Sequence, residues 1–213
     1  MTGLDMTYQL ILFDFDGTLA DSFPYLMNTF NEVAYDHRLK TVSPEEVETL
    51  RGYHTREVMQ HFGIPFWRMP FLMAEGRARM AQDIDQIHLF DGIDRSIQEL
   101  ADRGKILGVV SSNSLENIRR VLGPETAKRV QYFEAGVSLL GKAPKIHKVI
   151  RKSKVPRSQV LFVGDEMRDI EAARKAGVAC AVVAWGYTRV DALIKYHPDL
   201  VLEQIEDILK RIP

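Results

Sequence analysis

Asp14 and Asp16 stand two residues apart, directly behind the apolar run Leu10-Ile11-Leu12-Phe13. A run ended so abruptly reads as a buried parallel strand that delivers its polar chemistry where it stops. Two carboxylates this close repel, and burial strips each of solvation, so both stay ionised only beside a cation, or else one keeps a proton. That requirement points to a divalent metal, most simply Mg²⁺, and to a substrate rich in anionic oxygen. Three more polar clusters have similar settings: Ser111-Ser112-Asn113-Ser114 behind Ile106–Val110, Lys142 in Gly141-Lys142-Ala143-Pro144-Lys145 at a helix start, and Gly164-Asp165-Glu166-Met167-Arg168-Asp169 behind Val160–Val163. In an open parallel sheet such tips converge on one crevice. The set suits phosphoryl transfer: metal and lysine neutralise charge, hydroxyl and amide donors hold oxygens, one carboxylate attacks, and the other shuttles protons.

The elements that must position these residues are legible in outline. Apolar runs at Leu10–Phe13, Ile106–Val110, Val160–Val163 and Val178–Val183 alternate with helical patterns, which predicts an α/β fold built on a doubly wound parallel sheet. Ile93, Ile97, Leu100 and Ala101 share one helical face that stops at Gly104; Pro144 opens a second helix, and Ile170, Ala173 and Ala176 mark a third ending at Gly177. From about Phe23 to Ile87 no strand pattern appears. This interval reads as an inserted small α-helical cap domain, residues 22–87, within a core of residues 1–21 and 88–213. Ser43-Pro44-Glu45-Glu46 is a capping box with a stop near Gly52, Thr55 is expected to cap a short helix running to Gly63, and another helix is expected over Trp67–Ala81. Met59, Phe62, Phe66, Trp67, Phe71, Met73 and Met80 read as cap core. Arg51, His54 and Arg56 surround the Gly52 turn, where they could meet a leaving group.

These motifs, in this order, resemble the haloacid dehalogenase superfamily of aspartate-nucleophile phosphohydrolases, in particular its phosphoglycolate phosphatase and β-phosphoglucomutase branch. Asp14-Phe15-Asp16-Gly17-Thr18 matches the first motif, Ser112 the second, Lys142 the third with Lys145 as the other claimant, and Gly164-Asp165 through Asp169 the fourth. The resemblance implies that Asp14 is the nucleophile and Asp16 the general acid and base. It implies that Asp14, the Asp16 carbonyl and Asp165 hold Mg²⁺, with Asp169 in support. Ser112 and Lys142 would bind the phosphoryl oxygens, with Gly17, Thr18, Asn113 and Arg51 also expected at the substrate. The helical interval corresponds to the family's cap, which closes over the site and excludes water. The Ala143-Pro144 after Lys142 departs from the Pro-x-Pro of many relatives, and Trp185-Gly186-Tyr187 also occurs in phosphoglycolate phosphatase relatives.

Composition narrows the field. With 213 residues, a net charge of −1 and scattered basic residues, the chain has no electrostatic footprint for nucleic acid or an anionic membrane, so a small phosphorylated metabolite is the expected partner. The single cysteine, Cys180, lies in an apolar run and reads as core. Met1 to Tyr8 lacks signal-peptide features and no apolar run reaches membrane-spanning length, so a cytoplasmic location is expected. A calcium loop fails at Leu19 and Tyr25, where Gly and Glu are required. The expected activity is Mg²⁺-dependent hydrolysis of phosphoglycolate- or sugar-phosphate-like substrates. The rivals are a phosphomutase that uses the same aspartyl-phosphate and a silent binding module of the same fold.

Overall fold

The computed structural model describes residues 8–138 and 140–212. Of the amino-terminal stretch read for signal features, Met1–Thr7 lies outside them. After β1 (Leu10–Phe13) the chain runs through four helices, α1 (Phe23–Asp36), α2 (Pro44–Leu50), α3 (Thr55–His61) and α4 (Met69–Gln82). It then winds through α5 (Ile93–Asp102), β2 (Ile106–Val110), α6 (Leu115–Ala127), β3 (Tyr132–Glu134), α7 (Ala143–Ser153), β4 (Val160–Gly164), α8 (Met167–Ala176), β5 (Ala179–Val183), α9 (Val190–Ile194), β6 (Leu200–Leu202) and α10 (Asp207–Arg211).

Among the described residues the strands form one all-parallel sheet in the order β3-β2-β1-β4-β5-β6. The central strand explains why parallel pairing wins here. Ile11 and Phe13 point into one apolar layer with Ile93, Ile97, Leu100, Ile118 and Ile208, whereas Leu10 and Leu12 point into the other with Ile146, Val149, Ile170, Ala173 and Leu193. Both faces are thus covered, and each fully buried side chain of this size contributes roughly 1.5–3 kcal/mol. Cys180 is buried in the second layer, as expected. Edge strands β3 and β6 have three residues each, too few to carry a periodic signal. Among the described residues no helix is long and apolar enough to cross a membrane.

Local signals set most helix ends. Ser43 Oγ accepts from Glu46 N (3.3 Å) and Glu46 Oε2 accepts from Ser43 N (3.1 Å), closing the expected capping box of α2. In α3 the cap is His54 rather than Thr55: His54 Nδ1 accepts from Arg56 N at 3.4 Å and Glu57 Oε2 accepts from His54 N at 2.6 Å. An imidazole nitrogen thus does what a hydroxyl was expected to do, and Thr55 is the first helical residue. The Trp67–Ala81 helix is realised as a 3₁₀ turn, Phe66–Arg68, followed by α4.

The inserted helices have their own apolar cluster of Val33, Val42, Phe62, Ile64 and Leu72, and Met59 is buried as well. Trp67 and Phe71 do not join it, being 76% and 63% exposed. Leu72 faces inward on α4, so its neighbour Phe71, about 100° round the helix, faces out. Met80 is buried against the sheet-side layer instead. The side chains of Phe66 and Met73 lie outside those described.

Candidate active site

Register brings the acidic motifs together. Phe13 is level with Val109 of β2 and Val163 of β4, and Asp14 N continues the ladder by donating to Val163 O at 2.8 Å. The three central strands therefore end at one height. Asp14, the Ser111–Ser114 loop and Asp165 emerge side by side although the chain between successive ones runs for about 97 and 51 residues.

Lys142 sits at the middle of this cluster. It precedes α7, where a cation opposes the helix dipole and needs an anionic partner. It has two: its Nζ is 2.5 Å from Asp14 Oδ2 and 2.5 Å from Asp169 Oδ1, with all three side chains buried. Burial alone would lower the ammonium's pKa, but Asp14 and Asp169 outweigh it and hold the charge. Lys145, the other candidate, points away and donates to the main-chain carbonyls of Ser111 (2.6 Å) and Gly136.

Asp169 is held from two directions. Its Oδ2 accepts from Asp165 N at 3.2 Å and Glu166 N at 3.1 Å, while Oδ1 takes the lysine. It both ties down the first turn of α8 and joins the charge cluster. Asp165 is fully buried; Oδ1 accepts from Thr18 Oγ1 and Oδ2 from Tyr187 N, each at 2.8 Å. Its surroundings are built for close approach. A Cβ on Gly186 would lie 2.1 Å from Asp165 Cβ, and one on Gly17, at φ +73°, would lie 2.3 Å from Asp165 Oδ2. Thr18 and Gly17, expected at the substrate, thus stand against Asp165.

Asp16 occupies a different setting two residues from Asp14. Its carboxylate accepts from Asn113 Nδ2 (3.2 Å to each oxygen) and from Ser22 Oγ (3.2 Å), and Ser22 Oγ is in turn 2.6 Å from Tyr187 OH. Burial pushes the pKa of Asp16 above the usual carboxylate range, and the Asn113 and Ser22 bonds offset only part of that. Burial is also the largest influence on Asp14, raising it to about 7 despite Lys142. Asp165 is driven up by burial and then by Glu166, Asp14 and Asp169.

Asp14, Asp165 and Asp169 each offer an oxygen within 4.8 Å of the others. Among the described residues Lys142 is the one ammonium bonded within this set of three buried carboxylates, so the cluster holds more carboxylates than cations. An all-oxygen, anion-rich donor set of this kind fits a hard divalent cation such as Mg²⁺. The Asp16 side chain is not in the cluster.

Ser112 is half-buried at the mouth of the site, beside Asn113, whereas Ser114 Oγ caps α6 by accepting from Asn117 N at 3.1 Å. Above them, a cavity of about 370 Å³ is bordered by Asp16, Ser112 and Asn113 on the sheet side and by residues of α1–α4 on the other. Arg51 also borders it, but its donors are engaged: Nε with Tyr187 O (3.0 Å), one terminal nitrogen with Gly186 O (2.9 Å), the other with Glu48 Oε1 (2.8 Å). Arg189 completes this latch by donating its N–H to Arg51 O at 2.9 Å and its guanidinium to Glu48 O at 3.2 Å. His54, besides capping α3, lies 3.7 Å from Glu171, and Arg56 is exposed. Ser22, Gly186 and Tyr187 had no assigned role in the sequence. The dipeptide Asp21-Ser22 and the Trp185-Gly186-Tyr187 turn were the signals that could have pointed to them.

Comparison with known proteins agrees with this geometry. Over 205 residues the chain is 30% identical to a phosphoglycolate phosphatase of Synechococcus elongatus, covering 96% of this chain and 97% of that one. It is 26% identical over 215 residues to the pyrophosphatase PpaX of Oceanobacillus iheyensis, covering 96% of each. A solved haloacid dehalogenase-like family hydrolase from Streptococcus pneumoniae shares the fold at a TM-score of 0.82 and 18% identity, over 97% of this chain and 99% of that one. With the haloacid dehalogenase-like hydrolase family model matching residues 11–183, a span that holds every acidic motif, the chain belongs to that family.

Proposed function

We propose that this protein is a phosphatase that hydrolyses phosphomonoesters of small metabolites through an aspartyl-phosphate on Asp14, with Mg²⁺ bound. The observation that carries the reading is the pair of unlike environments two residues apart: Asp14 against Lys142 in a carboxylate-rich cluster, and Asp16 against Asn113 and Ser22 at the cavity. When bound, Mg²⁺ would be held by Asp14, the Asp16 carbonyl and Asp165, with Asp169 in support, and would offset phosphoryl charge.

Asp14 attacks phosphorus while the bond from phosphorus to the ester oxygen breaks. Asp16, whose pKa burial raises, gives a proton to the departing oxygen. Asp16 then takes a proton from the water that attacks the aspartyl-phosphate, releasing phosphate and restoring Asp14. Lys142 and Ser112 bind the phosphoryl oxygens in this scheme, and Asn113 holds Asp16 in place. Residues 22–87 act as the cap, with Arg51 fastening it to the Gly186-Tyr187 turn rather than touching substrate. The relatives' names, one a phosphoglycolate phosphatase and one a pyrophosphatase, leave the leaving group open while sharing phosphate release.

The test is phosphate release from a panel of phosphoglycolate, sugar phosphates and aryl phosphates, with Mg²⁺ and with chelator. Turnover is expected only with metal and is lost in Asp14→Asn. Folded, metal-loaded wild type that releases no phosphate across the panel would defeat the proposal. Accumulation of an isomerised sugar phosphate in place of phosphate would identify a mutase.

A further inference from the structure

The cavity over the reactive carboxylates is mismatched to a small charged leaving group. Its floor is Asp16, Ser112 and Asn113, where the ester bond would break. From there it runs between the helices of the insertion, walled by Leu26, Phe30, Leu50, Val58 and Phe62, with Tyr53 alongside. Its volume of about 370 Å³ lies in the range that holds a drug-sized ligand, far more than the two carbons of glycolate occupy.

Charge points the same way. Three guanidinium groups border the cavity: Arg51 is spent on the carbonyls of Gly186 and Tyr187 and on Glu48, and Arg168 gives one terminal nitrogen to Glu166 while its Nε is buried without a partner. Arg77 is the remaining one, half-buried on α4. A carboxylate or a hydroxyl-rich sugar in this space would surrender its hydration to walls with few groups to replace it, whereas an apolar chain would gain from burial.

Resting on the phosphatase reading of the same site, we infer that the preferred substrate is a phosphomonoester with an apolar leaving group, an alkyl chain or aromatic ring that occupies the interior of the insertion. Phosphate specificity resides in the sheet tips; leaving-group specificity resides in the apolar walls.

The test is a series of linear alkyl phosphates, from methyl to octyl, assayed beside phosphoglycolate on the intact Mg²⁺-loaded protein. Each added methylene is expected to raise kcat/KM roughly three- to four-fold until the cavity is filled, and the hexyl ester is expected to exceed phosphoglycolate at least about tenfold. A flat series, or phosphoglycolate preferred over every alkyl ester, overturns the inference while leaving the phosphatase reading intact. Calorimetric binding of the non-hydrolysable alkylphosphonates separates the two readings from the other side. Affinity that climbs with chain length in a protein that turns nothing over would retain the apolar site and reject the phosphatase; chain-length-independent binding would reject the site. In Leu26→Asn the octyl-to-methyl ratio of kcat/KM is expected to fall about tenfold, and an unchanged ratio would count against the inference.

Discussion

Replacing Lys142 by methionine keeps most of the side chain's length and removes its charge, leaving Asp14 and Asp169 facing each other. The three groups are 9%, 4% and 0% exposed at the side chain, and both ion pairs are 2.5 Å long. Carboxylate oxygens within 4.8 Å of each other repel by about 3.5 kcal/mol at an effective dielectric of roughly 20. Removing one partner from a buried ion pair costs about 3–5 kcal/mol, so the two figures agree. For a chain of this size that is a fall of roughly 6–20 °C in Tm. The assay is thermal unfolding followed by circular dichroism in chelator at pH 8 and again at pH 5.5. Protonation is the escape route for the stranded carboxylates, so the deficit should be largest at pH 8 and shrink at pH 5.5, and Mg²⁺ should recover part of it. A Lys142→Met protein as stable as wild type at pH 8, or one with the same deficit at both pH values, would refute this account of the cluster.

Asp14 is raised to about 7 by burial, so ionising it in the folded state costs free energy that the unfolded chain does not incur. That destabilisation is absent below about pH 4 and grows as pH rises toward about 7; metal-free protein should weaken over that window, and Mg²⁺ should bind more tightly at pH 8 than at pH 6 with net proton release, both readable by calorimetry. Thr18→Val removes the 2.8 Å donor to Asp165 Oδ1 and is expected to weaken Mg²⁺ affinity roughly tenfold, measured by titration. Gly186→Ala would place a methyl 2.1 Å from Asp165 Cβ, and a larger loss than in Thr18→Val is expected in the same titration. Arg51→Met cuts the bonds to Gly186 O and Tyr187 O, so amide exchange in α2 and α3 should accelerate and kcat should fall with little change in Tm.

The sheet-tip chemistry was legible because it is written in contiguous residues: apolar runs that end in Asp14-x-Asp16, Ser112-Asn113 and Gly164-Asp165 are local patterns, and parallel pairing does the rest. Lys142 was legible by a misfit, a cation at a helix start, and the two carboxylates beside it resolve that misfit. Edge strands of three residues left no period to read. The insertion was legible as helices but not in its packing, since the inward turn of Leu72 and the outward turn of Phe71 depend on how α4 lies on α1. The hydrogen bonds of Arg51 were not legible for a related reason. Its partners at Gly186 and Tyr187 are about 135 residues distant, and a basic residue near a predicted site looks the same in sequence whether it holds substrate or a main-chain carbonyl.

The covalent step itself is the point of greatest exposure. Rapid acid quench of wild type turning over a ³²P-labelled phosphomonoester, followed by peptide mapping, should recover label on the peptide containing Asp14 and none from Asp14→Asn. Rapid phosphate release with no protein-bound label at any quench time, or with label on another residue, would contradict it.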